Sequence, residues 1–332
     1  MEYRKLGNTE LNCSVITFGA WAIGGWKWGG TDRKEAIRAI QAAYAEGVTS
    51  IDTAPAYGQG LSEEIVAEAI QDIPRDRIQI LTKFGLRWDT DQGTLFFKSE
   101  TEDGQELIIR KWASPESVIK ECEDSLRRLK TDYIDLYQIH WHDVTTPIAE
   151  TMEAVLKLKQ QGKIREIGVC NYTPEWMAEA EKVVNLASNQ VPYSMLLRDI
   201  EKDVVPYCLD HDKAVIAYSP LQRGVLTGKM KPGYSFKKGD HRQELVHYTD
   251  ENIRRTNLML DQMRSLAEAK GATLAQLVLR WTIDQPGITI ALAGARNEEQ
   301  AVQNARAADI ELTRDELDFM LDQVENLELS PA

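Results

Sequence analysis

The chain has 332 residues, with 39 Lys and Arg against 52 Asp and Glu, for a formal net charge of −13. That balance excludes a nucleic-acid binder, which needs a basic face to neutralise phosphates, and no basic run exceeds two or three residues. No stretch approaches the roughly 20 apolar residues of a spanning helix, and Met1-Glu2-Tyr3-Arg4 leads into polar sequence without a signal-peptide core. A cytoplasmic protein starting at Met1 is therefore expected. Cys13, Cys122, Cys170 and Cys208 lie far apart, which suits a reducing compartment and supplies no zinc-type spacing.

In chain order, residues 3–5 and 12–14 read as a short hairpin, followed by apolar strand runs at 15–18, 49–52, 78–83, 134–140, 166–171, 186–190, 214–218 and 289–293. Between them lie amphipathic helical stretches. Asp32 with Glu35 reads as a capping box, Ile37, Ile40 and Tyr44 repeat at helical spacing, and Gly47 supplies a stop. Ser114-Pro115, Thr146-Pro147 and Thr173-Pro174 each place an N-cap oxygen before a proline suited to the first helical position. Strand starts are mostly 20 to 34 residues apart, but two intervals run to 56 and 75. The first overlong connection, 84–113, holds a predicted hairpin of 94–98 with 106–110 around Asp103-Gly104; the second contains a Gly-, Lys- and His-rich loop, 222–251. Both follow the C-terminal end of a strand. Eight βα units with insertions on that side predict one (β/α)8 TIM barrel domain over 1–332, with the N-terminal hairpin closing its bottom and long loops after strands 3 and 7. A doubly wound sheet would want a Gly-x-Gly-x-x-Gly turn after its first strand, and that turn is missing. Gly224 to Met230 is one residue short of a phosphate loop.

Polar residues at barrel strand ends are the ones able to reach a substrate. Here they are Asp52 with Tyr57 beyond it, Lys83, His140-Trp141-His142-Asp143, Cys170-Asn171, Gln190 and Tyr218-Ser219. A tyrosine is a poor proton donor near neutrality unless a cation stabilises its phenolate. Lys83 is placed to be that cation, Asp52 to hold it charged, and His140 to orient a carbonyl, which together make a general acid for carbonyl reduction. Two other chemistries draw on the same residues. His140 and His142 with Asp143 or Asp52 could hold a metal, although no other strand end adds a His or Cys pair; Lys83 could form a Schiff base, against which a partner Asp argues.

At these residues the chain resembles the aldo-keto reductase superfamily along nearly its whole length. The resemblance is carried by Phe18-Gly19-Ala20-Trp21, Asp52-Thr53-Ala54-Pro55-Ala56-Tyr57-Gly58, Leu81-Thr82-Lys83, Asp135-Leu136-Tyr137-Gln138-Ile139-His140-Trp141, Ile167-Gly168-Val169-Cys170-Asn171-Tyr172, Ala217-Tyr218-Ser219-Pro220-Leu221 and Ala293-Gly294-Ala295-Arg296 to Asn304. Trp21-Ala22-Ile23-Gly24-Gly25 and Trp28-Gly29-Gly30-Thr31-Asp32 are most similar to the bacterial general-stress-type branch.

The resemblance implies a barrel reductase that turns aldehydes and ketones into alcohols and binds NADPH, more than NADH, without a Rossmann fold. It implies Tyr57 as general acid, with Lys83, Asp52 and His140 completing the tetrad. It implies cofactor contacts from Trp21, Asp52, Cys170, Asn171, Gln190, Tyr218, Ser219, Leu221, Gly224, Gly294, Arg296, Gln300 and Asn304. Among these, Tyr218 would stack on the nicotinamide and Arg296 would face the 2′-phosphate. Substrate would lie against Trp21, Tyr57, Trp88, His140 and Trp141, an apolar pocket suited to many carbonyl compounds. Lys237, Lys238 or Arg242 in the second loop are expected to touch the cofactor, and His142 to sit at the pocket rim. Cys170 stands where many members have Ser, and Gly294-Ala295 where eukaryotic members have the Lys-Ser pair that grips the 2′-phosphate. No metal and no obligate protein or nucleic-acid partner is implied. A cofactor-sensing regulatory subunit on the same barrel, as the potassium-channel β subunits are, is the other reading.

Overall fold

The structure, a computed structural model, describes residues 1–101, 104–237 and 240–330. The eight apolar runs form β1 (Ile16–Gly19), β2 (Ser50–Asp52), β3 (Gln79–Phe84), β4 (Ile134–Ile139), β5 (Ile164–Cys170), β6 (Ser188–Pro192), β7 (Ala214–Tyr218) and β8 (Ile288–Ala293). They pair parallel in chain order, and β8 pairs back onto β1, closing the barrel. Buried on both faces, such strands read as continuous apolar runs rather than alternating ones. Their ends depart from the sequence reading by one or two residues, because the run marks the buried stretch while the hydrogen-bonded ladder sets the strand.

The N-terminal hairpin, Tyr3–Lys5 with Asn12–Ser14, caps the N-terminal end of the strands. Leu6, Leu11 and Cys13 pack into the interior against Leu81, Leu136, Ala187, Ala214, Ile216 and Ile290. A filled floor leaves only the C-terminal face for a ligand.

Helix starts follow the capping chemistry in most places. Ser114 accepts from the Ser117 amide ahead of helix Pro115–Leu129, and Thr173 from the Trp176 amide ahead of helix Pro174–Ala180. Asp32 caps helix Arg33–Ala45 through the Lys34 and Glu35 amides, but Glu35 pairs with Arg38, so the capping box is one-sided. Thr146 does not cap. Helix Ile148–Gln160 has Pro147 at its N-cap, and the Thr146 hydroxyl donates instead to Asp143.

The first insertion is a three-stranded sheet in which Thr94–Glu100 pairs antiparallel with Glu106–Lys111, and the latter with Leu86–Arg87. Asp103 of its turn lies outside the described residues. The second insertion runs through short 3-10 turns, Gln222–Thr227, His241–Glu244 and Val246–Tyr248, and crosses to the segment after β1. Gly29, at φ +71°, makes room for this crossing: a Cβ there would stand 2.8 Å from the Lys237 Cβ. Among the described residues no helix is long and apolar enough to cross a membrane.

Candidate active site

β2 ends in Asp52, and the turn after it carries Tyr57 into helix Leu61–Ala69. Gly58 fixes that turn, because a Cβ on it would meet the Gly24 carbonyl oxygen at 2.2 Å. On the neighbouring strand Lys83 is fully buried, and its three ammonium protons have three acceptors: Asp52 Oδ1 at 2.5 Å, the Thr53 carbonyl at 2.8 Å and Tyr57 Oη at 3.2 Å. The other Asp52 oxygen accepts from Gln190 Nε2 at 2.8 Å and Gln138 Nε2 at 3.3 Å. Because Lys83 donates to the phenol oxygen, the Tyr57 proton is left to point away from it, toward the cavity that Tyr57 lines. His140 lines the same cavity with its ring 5.7 Å from that of Tyr57, edge to face.

Burial pushes the Tyr57 phenol up to about 12; Lys83 pulls it down, and Asp52 pushes it further up. The sequence reading had Lys83 lowering this group. Here Lys83 only moderates a larger desolvation, so Tyr57 is a neutral phenol and a proton donor at pH 7. Burial, then Lys83, hold His140 well below the ordinary histidine range, leaving a neutral imidazole beside the phenol. Lys83 keeps its charge because Asp52 and Tyr57 outweigh the burial that opposes it. A fully enclosed, charged amine is no Schiff-base nucleophile.

A cavity of about 620 Å³ opens over these groups. All thirteen cofactor candidates line it, from Trp21 to Asn304, together with Trp141 of the substrate candidates. Several are already engaged: Asn171 donates to the His140 carbonyl and accepts from the Tyr218 hydroxyl at 3.0 Å, Asn304 donates to the Gly294 carbonyl, and the Arg296 guanidinium donates to the carbonyls of Trp28 and Gly30. Arg242 also lines the cavity, paired with Asp240; Lys238 lies outside the described residues. Trp88 does not reach the cavity, because it packs into the apolar cluster under the inserted sheet with Leu86, Leu107 and Ile109. His142 turns outward, its ring 4.4 Å from that of Trp176. Asp143 is consumed by the Ala113 and Thr145 amides and the Thr145 and Thr146 hydroxyls. The metal reading therefore loses His142 and Asp143, Asp52 is held by Lys83, and among the described residues no group of three ligating side chains occurs.

Sequence reasoning passed over Gln138, Trp26, Lys27, Trp28, Phe96, Phe97, Arg223 and His241. Seven of them line the cavity, and Gln138 lies beneath it against Asp52. The signal for Trp26 and Trp28, with Lys27 between them, was two large apolar side chains in a glycine-rich segment after a strand; Gln138 lies inside β4, and Phe96, Phe97, Arg223 and His241 sit in insertions where no period points inward.

In a chain of net charge −13, the lining has five cations, Lys27, Arg223, Lys229, Arg242 and Arg296, against one carboxylate, the already paired Asp52. That charge, with the amides of Asn171 and Gln190 and the ring of Tyr218, fits a nicotinamide dinucleotide: cations for phosphates, amides for a carboxamide, a ring for stacking.

The aldo/keto reductase family profile matches residues 15–325. Aldo-keto reductase YhdN of Bacillus subtilis is 41% identical over 90% of the chain and 86% of its own length. An Escherichia coli protein named NADH-specific methylglyoxal reductase is 38% identical over 99% of the chain and 100% of its own. Among solved structures, glycerol dehydrogenase AKR11B4 of Gluconobacter oxydans superposes with a TM-score of 0.87 at 38% identity, covering 99% of this chain and 97% of that one. A Klebsiella pneumoniae aldo-keto reductase in complex with NADPH gives 0.72 at 31% identity, covering 100% of both.

Proposed function

Because the chain belongs to the aldo/keto reductase family, we propose that it is an NADPH-dependent oxidoreductase that reduces aldehydes and ketones to alcohols with Tyr57 as general acid. The observation that carries the reading is the saturated Lys83: its three donors are spent on Asp52, Thr53 and Tyr57, so the one proton left facing the cavity belongs to the Tyr57 phenol. When bound, the nicotinamide supplies a hydride to the carbonyl carbon. Tyr57 Oη delivers the proton to the carbonyl oxygen, and Lys83 stabilises the phenolate left behind. The neutral His140 donates a hydrogen bond that orients that oxygen. Asp52, bound by Gln190 and Gln138 as well as Lys83, holds the ammonium in place. Trp21, at 6.2 Å from Tyr57, and Trp141 are the apolar walls, which tolerate varied carbon skeletons.

Preference for NADPH over NADH is part of the proposal and is supported by Arg296, which has no carboxylate partner among the described residues and lines the cavity beside Gln300 and Asn304. An affinity ratio near one between the two cofactors, measured by fluorescence titration, would remove that part and leave the rest standing.

The test follows NADPH oxidation with a panel of aldehydes, for the wild type and Tyr57→Phe. A general acid contributes about 10²- to 10⁴-fold, so the variant is expected to lose at least a hundredfold in kcat while binding NADPH as before. Tight NADPH binding without turnover on any carbonyl in the wild type would favour the cofactor-sensing subunit. Absence of NADPH binding would overturn the cofactor reading altogether.

A further inference from the structure

Three consecutive residues after β1, Trp26, Lys27 and Trp28, line the cavity. The indole N–H groups of Trp26 and Trp28 are buried without an acceptor. Between them Lys27, also in the lining, takes part in no salt bridge and donates no hydrogen bond among the described residues. Its ammonium lies instead 4.0 Å from the centre of the Phe97 ring and 5.5 Å from that of Trp26. Partial burial, and Arg223 as well, hold it below the ordinary lysine range; Glu244, the carboxylate that opposes them, is exposed and beyond ion-pair distance. Arg223 stands over Trp21, also without a carboxylate partner. His241 donates from Nδ1 to the Lys27 carbonyl at 2.9 Å, which leaves its buried Nε2 as the single acceptor among these unpaired groups. Cations without counter-charge beside a cavity are costly, and they mark the place where a ligand supplies what is missing.

Lys27 reaches the carbonyl site through aromatic contacts, while Trp28 beside it adjoins the dinucleotide candidates Arg242 and Arg296. Lys27 packs on Phe97, which stacks on Trp26 and touches Phe96, and Phe96 lies 5.3 Å from Trp141, next to His140. One aromatic wall thus joins Lys27 to the carbonyl site. Arg296 meets this segment only at the carbonyls of Trp28 and Gly30.

We propose that the Trp26–Lys27–Trp28 end of the cavity is a subsite for an anionic group on the carbonyl substrate, a carboxylate or a phosphate, with Lys27 as counter-charge and the Trp26 and Phe97 rings as the wall beneath it. The proposal rests on the reductase reading and names the substrate class within it: carbonyl acids are preferred over their neutral analogues, whatever the skeleton between.

The test compares kcat/KM for (4-formylphenoxy)acetate and for its methyl ester, in which the methylene insulates the aldehyde from the charge so that intrinsic reactivity is similar, at saturating NADPH in the wild type, Lys27→Met and Lys27→Arg. The wild type is expected to favour the acid at least about tenfold, and the advantage to shrink as NaCl is added. In Lys27→Met the ratio is expected to fall to about one, and Lys27→Arg to restore most of it. A ratio near one in the wild type, or a ratio that Lys27→Met leaves unmoved, overturns the subsite. Weaker NADPH binding in Lys27→Met with an unmoved ratio does the same and assigns Lys27 to the cofactor. Phosphate is told from carboxylate by repeating the comparison with 4-formylphenyl phosphate. Turnover of the ester without discrimination sinks the subsite alone, whereas no turnover of either aldehyde or of any other in the panel sinks the reductase reading and the subsite with it.

Discussion

The buried Lys83 is bound more tightly into the fold than a mobile catalytic base would be. An ammonium in a dry interior persists only with its hydrogen bonds complete, and here they are complete. Its partner Asp52 is 2% exposed, so removing the amine strands a carboxylate that two glutamine amides only partly satisfy. Lys83→Met, which keeps the unbranched stem but removes the amine, is therefore expected to cost about 3–5 kcal/mol in stability by urea unfolding, the range for breaking a buried pair by removing one member. A loss under 1 kcal/mol would mean that water reaches the stranded carboxylate in the fold, and that the pair does not organise the site. Lys83→Met with Asp52→Asn should recover part of the loss, since the second change removes the stranded charge.

At the scale of elements, the loop after β4 is organised by one carboxylate. Asp143, 1% exposed, accepts from the Ala113 amide at 2.9 Å, the Thr145 amide, and the hydroxyls of Thr145 and Thr146. It thereby ties the strand end that carries His140 to the exit of the first insertion. Asp143→Ala leaves the buried Ala113 amide without an acceptor and is expected to destabilise by about 1–3 kcal/mol, raising KM for the aldehyde more than for the cofactor, because the Trp141 wall shifts. Equal changes in both constants would place the effect elsewhere. The same residue shows where the sequence could and could not be read. Strand runs, helix caps such as Ser114 and Thr173, and polar strand ends were legible, because each follows from a local rule of burial or capping. Asp143 was legible as polar at a strand end but not as a structural acceptor, and Thr146 was read as a cap, because the partner each chose lies in another element. The Trp26–Trp28 segment and the His241 loop had no period to reveal an inward face; they meet only when the barrel brings the loops after β1 and β7 together.

On the scale of the whole molecule, titration makes the stability pH-dependent with a sign that can be worked out. Burial and Lys83 hold His140 well below the ordinary range, so below pH about 6.5 the unfolded chain takes up a proton that the folded chain refuses. Stability is then highest above that pH and is lost as pH falls, with a slope of at most about 1.4 kcal/mol per pH unit from this residue. Burial first of all acts on His142, His241 and His247 in the same direction. Glu121 works the other way: burial pushes it up to about 8, against the pull of Arg87, so its contribution is full below pH about 4.5 and is lost as pH rises through 8. The carboxylates that are held low, such as Asp89 and Asp240, lose their contribution only below the ordinary Asp range and leave the window from pH 7 to 5 to these groups. The wild type alone therefore mixes two signs, and the informative quantity is the difference in slope between it and His140→Gln, which keeps a hydrogen-bonding side chain that does not titrate. Urea unfolding from pH 7 to 5 is expected to show the wild type losing stability more steeply than the variant, whatever their offset at pH 7. Parallel slopes would mean that His140 takes up its proton in the folded state as readily as in water. That would require the site to admit water beside Lys83, and water there would compete with a carbonyl oxygen for the hydrogen bond of the Tyr57 phenol.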